Sequence, residues 1–173
     1  MCKNFIFLFF FSSLIACTNF NKKKVSSISE LEKITQYDIQ NLQKIKIYDL
    51  DNALKIAKLN LAKLEKKKMD SINVELIYFE YRNYLNCINI IYENTREIDN
   101  LNHTLSNNAN QLKDLKHDYI NSRTERIDLD KYFFEEMKIV KETSKKVNTA
   151  LKTTKKEVNR FNNLNEKIEQ FIN

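Results

Sequence analysis

The side chains able to do chemistry in this chain are few enough to test by spacing. His103 and His117, the two histidines, stand 14 residues apart, which on a helix sets them on one face but about 21 Å apart along it. They cannot share a metal ion, and Cys87 is remote from both, so the sequence holds no ligand set of metal-binding spacing and calls for no cofactor. The acidic pairs Asp49 with Asp51 and Glu135 with Glu136 occupy near-adjacent positions that point to different faces of a helix, so they read as solvated surface rather than acid and base. The strongest polar signal is cationic. Lys138, Lys141, Lys145, Lys146, Lys152, Lys155, Lys156 and Arg160 face only Glu142 and Glu157 in the same stretch. Lys138, Lys145 and Lys152 recur every seven residues and therefore share one helix face, with Lys141 and Lys156 nearby. Such a face fits an anionic polymer or membrane surface.

The elements that position these residues are set by an absence. The 173 residues include no Gly and no Pro, where average usage gives roughly 12 and about 9. Primed hairpin turns, phosphate loops, dinucleotide-binding turns and nucleophile elbows all need glycine at a sharp bend or a close approach. Most enzyme architectures are excluded with them, and the chain reads as helical and not as an enzyme.

Three segments carry apolar residues at steps of three and four. The first opens at Ser27, which has capping-box spacing to Glu30, and continues through Ile28, Leu31, Ile34, Leu42, Ile45, Leu54, Ala57, Leu61 and Leu64. Lys66, Lys67 and Lys68 suit a helix C-terminus, and Asp70 with Ser71 supplies the next cap, so a corner is expected at 68–71. The second carries Leu76, Tyr81, Tyr84, Ile88, Ile91, Ile98, Leu101, Leu105, Leu112, Leu115 and Tyr119, with a weak point at 106–110 where Ser and Asn crowd. The third runs from about Glu125 to Ile172 through Phe133, Met137, Val140, Val147, Leu151, Val158, Phe161, Ile168 and Ile172, after a second corner at 121–126. Helices this long cannot bury a stripe alone, and short connections make neighbours antiparallel. The expected fold is all-α: an elongated antiparallel three-helix bundle or folded coiled coil, one domain over 27–173. A two-helix hairpin that forms a homodimer is the competing arrangement. Tyr81, Tyr84 and Phe133 fall on the core stripe, whereas Tyr78 and Tyr132 lie off it and suit a contact surface.

The amino end reads as an export signal: Lys3, the apolar run Phe5 to Phe11, then small residues. The run is shorter than the ~20 residues a membrane span needs. Leu14, Ile15, Ala16 and Cys17 resemble the lipobox of bacterial lipoproteins, with an ordinary secretory signal the weaker reading. The resemblance implies cleavage before Cys17, lipidation of Cys17 by diacylglyceryl and palmitate-type chains, and an effectively permanent anchor, since each buried methylene contributes ~0.8 kcal/mol. Residues 1–16 are then the signal peptide and 17–26 the lipidated Cys and a flexible polar tether. Removing 1–16 takes Lys3 with it and lowers the formal charge from +6 to +5. Cys2 leaves with the signal and Cys17 is acylated, so Cys87 stays alone without a disulfide and reads as a small buried hydrophobe.

Lipobox, polar tether and an all-helical body crowded with Asn, Lys and Ile together resemble small helical surface lipoproteins of spirochaetes. That group includes binders of complement factor H and of glycosaminoglycans, several with a binding loop between long helices. The resemblance implies an outer-membrane, surface-exposed lipoprotein that captures a host macromolecule for adhesion or immune evasion. Its candidate binding residues are Ser122, Arg123 and Arg126 at the second corner and Lys138, Lys141, Lys145, Lys152 and Lys156 on the basic stripe. Its partners would be the membrane through the lipid anchor and a host protein or sulfated glycosaminoglycan; an exported chain makes nucleic acid a poor partner. The alternative is a periplasm-facing structural or assembly lipoprotein whose stripe pairs with an envelope partner.

Overall fold

The computed structural model describes the backbone outside residues 1–2, 46, 68–70 and 123–126, and side chains outside 1–20, 46–49, 68–76 and 123–126. The protein is all-α. Among the described residues there are four helices, α1 (Lys3–Gln43), α2 (Ile47–Lys66), α3 (Ser71–Asn121) and α4 (Ile127–Ile172). No helix among the described residues is long and apolar enough to cross a membrane. The chain divides into two compact units: Met1–Gln40 with His103–Lys145 is unit 1, and Asn41–Asn102 with Lys146–Asn173 is unit 2. Each is built from three helical segments, with α3 and α4 contributing to both.

Unit 1 packs Ile28 and Leu31 of α1, Leu112, Leu115 and Tyr119 of α3, and Leu129, Phe133 and Val140 of α4 into one buried cluster, with Val25 and Met137 against it. Its pairings fix the helix directions. Tyr119 reaches Asp130 and Asn108 reaches Thr143, so α3 and α4 run antiparallel. Lys116 pairs with Glu32 at 2.6 Å and Asn21 reaches Ser122, so α1 also runs antiparallel to α3.

Unit 2 repeats the logic. Asn94 meets Ala150 and Thr154, Cys87 meets Glu157, and Tyr84 stacks on Phe161 with centroids 5.5 Å apart. The α3 number falls as the α4 number rises, so these segments are antiparallel. On α2, Asn60 joins Asn165, and Lys67 donates to the carbonyls of Phe171 and Ile172, capping carbonyls that the end of α4 leaves without intrahelical partners.

Two sequence expectations are revised. The first segment is two helices, because Lys44 and Ile45 donate to Asn41 and Leu42, the tight bonds that close a helix end. Helix α1 does not start at Ser27, and residues 18–26 are helical instead of a flexible tether. Val25 packs on the cluster, and the Lys24 ammonium lies 3.1 Å from Asp130 and 4.5 Å from the Phe133 centroid, so docking favours helix where polarity alone predicts coil. At the weak point 106–110 α3 runs unbroken, because Asn108 is buried and bonds Thr143 instead of competing for its own backbone.

The two corners agree with the helix ends at Lys66 and Ser71 and at Asn121 and Ile127. Asp128 and Asp130 stand in the first turn of α4 and Lys63 and Lys66 in the last turn of α2, as the helix dipole favours.

Candidate binding faces on α4

The seam positions of α4 are taken by buried residues, Val140, Thr143, Val147, Ala150, Glu157 and Phe161, so the lysines between them are turned to solvent. In unit 1, Lys138, Lys141 and Lys145 are exposed. Lys138 is 4.0 Å from Glu142, with 76% of its side chain accessible; a pair so exposed contributes little and leaves the charge available to a partner. In unit 2, Lys152, Lys155 and Lys156 are exposed. Lys156 sits 3.5 Å from Oε1 of Glu157, whose other oxygen is 3.3 Å from Nη1 of Arg160. Glu157 is almost fully buried, so these two cations serve an internal carboxylate that would be costly to bury unpaired.

Of the corner residues, Ser122 is half-buried, its N–H donating to Asp118 and its carbonyl accepting from Asn21. It is part of the packing. Arg123 and Arg126 lie outside the described residues, and Cys17 is on α1 with its side chain outside them. The structure brings Lys138, Lys141 and Lys145 onto one unit and Lys152 and Lys156 onto the other; it does not join Ser122 to either group.

The aromatics divide as expected, except that Tyr81 is half-buried rather than core. Tyr84 and Phe133 are buried, while Tyr78 and Tyr132 are exposed, joined at the surface by Phe79 and Phe134. The Lys24 ammonium lies 4.7 Å from the Phe134 centroid. His103 and His117 are exposed.

Cys87 is fully buried, its Sγ 3.4 Å from the Glu157 carbonyl. Burial, then the Glu157 side chain, pushes its thiol up to about 12, so it stays protonated and unreactive near neutral pH. Burial likewise raises the Tyr84 phenol to about 12. In unit 1, burial first and then the bond to Asp130 raise Tyr119, while that same bond, with Lys24 adding to it, holds the Asp130 carboxyl low.

Sequence reasoning missed the buried polar side chains. Thr35, Asp38, Asn60, Asn94, Asn108, Thr143 and Glu157 all occupy the core. Asn94 and Asn108 could have been found, since each continues the steps of three and four set by Ile91, Ile98, Leu105 and Leu112. Two hollows also went unseen, both in unit 2. One, of about 560 Å³, lies beside Phe79, Asn83, Arg160 and Lys167, where Lys167 bonds Glu80 and Arg160 bonds Asn83. The other, of about 400 Å³, is lined by the end of α1, the start of α2 and α4.

No protein-family model, curated protein or solved structure matches the chain.

Proposed function

We propose that the protein is a lipid-anchored outer-surface binding module whose exposed lysines on α4 capture a sulfated host polysaccharide. The observation that carries the reading is the solvent exposure of Lys138, Lys141 and Lys145 in unit 1 and Lys152, Lys155 and Lys156 in unit 2, with Glu142 the only exposed acid among them. Within unit 1, Lys138 and Lys145 stand seven residues apart, about 10 Å along α4. A flexible polyanion can follow such a repeat, whereas a compact anionic ligand needs convergent donors. The lipobox-like Leu14 to Cys17 supplies the address. With Cys17 acylated and α1 held in unit 1 from Asn21 onward, the spacer shrinks to residues 18–20, about 5 Å along the helix, and unit 1 stands close to the membrane.

A sulfated polymer is favoured over a factor H-type protein because, among the described candidates, the lysines are exposed whereas Ser122 is engaged in packing. A coiled-coil partner is disfavoured because each unit fills its seam with its own three segments.

Heparin tests the reading. Replacing Lys138, Lys141, Lys145 and Lys152 by Gln should weaken heparin binding at least about tenfold at roughly 0.15 M salt, and wild-type affinity should fall steeply as salt rises. Helix content by circular dichroism should not change. Binding that is insensitive to salt, or to the four replacements, would refute it.

A further inference from the structure

We infer that the hollow between α3 and α4 of unit 2 seats one pyranose ring of a bound polysaccharide, with Phe79 as the surface on which the ring lies. The inference rests on the polysaccharide reading above and adds to it a contact that does not depend on charge. Phe79 and Asn83 of α3 line the hollow on one side, and Asn159, Arg160, Asn163 and Lys167 of α4 line it on the other. Its volume, about 560 Å³, lies within the range of roughly 300–1,000 Å³ for small-molecule sites.

Two pairs across the antiparallel helices brace this groove. Nζ of Lys167 lies 2.6 Å from Oε1 of Glu80, which also lines the hollow, and Nη2 of Arg160 lies 3.4 Å from Oδ1 of Asn83. Through Nη1, Arg160 is also held 3.3 Å from Oε2 of Glu157. Side chains fixed before a ligand arrives lose little freedom when it binds. Leu164, which is buried, adds an apolar wall. Phe79 is the contrast: 70% of it is exposed, so its ring carries apolar surface into water at the edge of a braced hollow, and covering that surface is favourable.

The mixture of groups selects the occupant. An alkyl chain would desolvate the amides without replacing their hydrogen bonds. A compact anion would meet Glu80 and an Arg160 whose charge already serves the buried Glu157. A pyranose suits both features. Its C–H face lies on the negative face of the Phe79 ring, and its hydroxyls, which donate and accept, match the carboxamides of Asn159 and Asn163, which also do both. Position supplies the rest. Lys152, Lys156, Asn159, Asn163 and Lys167 follow steps of three and four and are exposed, so they lie on one side of α4. A chain held at Lys156 therefore reaches Asn163 about 10 Å further along the helix.

The chain contains no Trp, so Phe79→Trp in the full chain places a single indole at the hollow, at an exposed position that the fold does not depend on. The probes are a heparin tetrasaccharide, its desulfated and N-acetylated counterpart, and adenosine. Both tetrasaccharides should move the indole emission to shorter wavelength, saturably, and adenosine should not. In calorimetry, Phe79→Ala should weaken the desulfated tetrasaccharide about fivefold, by the same factor at roughly 0.15 M and roughly 0.5 M salt, because stacking is not screened. A heparin tetrasaccharide that binds by calorimetry without moving the indole emission would overturn this inference and leave the lysine reading standing. A shift with the sulfated probe alone, or an equal shift with adenosine, would overturn it too, since the contact would then be with sulfate or with any flat ring. If heparin does not bind at all, the lysine reading fails, and the desulfated probe decides the hollow by itself: an emission shift upholds the sugar site and its absence overturns it.

Discussion

Units 1 and 2 bury polar side chains in the same kind of seam and treat them differently. Among the described residues of unit 2, no buried polar side chain lacks a hydrogen-bond partner. Asn60 and Tyr84 both donate to Oδ1 of Asn165, Asn94 donates to the Ala150 carbonyl and to Thr154, and Glu157 is held by Arg160 and Lys156. In unit 1, Asn108 reaches Thr143, but Thr35 Oγ1, Asp38 Oδ2 and Glu136 Oε2 are buried with no hydrogen-bond partner. A satisfied polar group fixes register and strengthens in a low-dielectric core, while an orphaned one loses its hydration without return. Heptad geometry therefore does not predict stability by itself; partner satisfaction separates the two units.

The largest expected effect bears on the ring pair that unit 2 is built around. Phe161→Ala removes the stacking partner of Tyr84 and leaves a cavity beside it, which should cost about 3–5 kcal/mol in urea denaturation.

Next comes a contrast in sign. Asn94→Leu strips partners from Ala150 and Thr154 and should destabilise by about 1–3 kcal/mol. Asp38→Leu removes a buried acid with an orphaned oxygen and should stabilise near neutral pH by about 1–2 kcal/mol. Equal losses from both would erase the distinction between the units.

The pH dependence sharpens the same point. Burial, partly offset by a bond from Ser144, holds the Asp38 carboxyl above its ordinary value, and burial with the neighbouring Glu135 raises Glu136. With both raised, the native state binds more protons than the unfolded chain from about pH 4 upward, so this contribution to stability is present in acid and lost as pH rises through the folded values. Asp130 is lowered and acts in the opposite sense. The comparison is thus between wild type and Asp38→Asn: the variant should lose less stability than wild type between about pH 4 and about pH 7, and parallel curves would contradict the assignment.

Much of this was legible in the residues. The absence of Gly and Pro and the steps of three and four gave an all-α chain, and Lys-rich or Asn-rich punctuation located both corners. What escaped had local apolar surrogates. Leu54 and Leu61 continue a plausible stripe and are only half-buried, while Leu50, Ala53 and Asn60 are buried. Thr35 and Asp38 were invisible to a search for apolar residues, and Ile34 beside them is exposed. The 18–26 segment was read from polarity, whereas its helicity comes from Lys24 and Val25 docking on residues a hundred positions away. The hollow joins Phe79 to Lys167 across the chain, a juxtaposition no local pattern encodes. The exposed lysines were the easiest to find because heptad recurrence alone turns them outward.

The surface address is the claim on which the functional reading stands, and protease treatment of intact cells tests it most directly. The account predicts that added protease removes the wild-type protein from intact cells, and that Cys17→Ser releases it from the membrane fraction. Protection until the outer membrane is permeabilised would contradict the account and favour a periplasm-facing role.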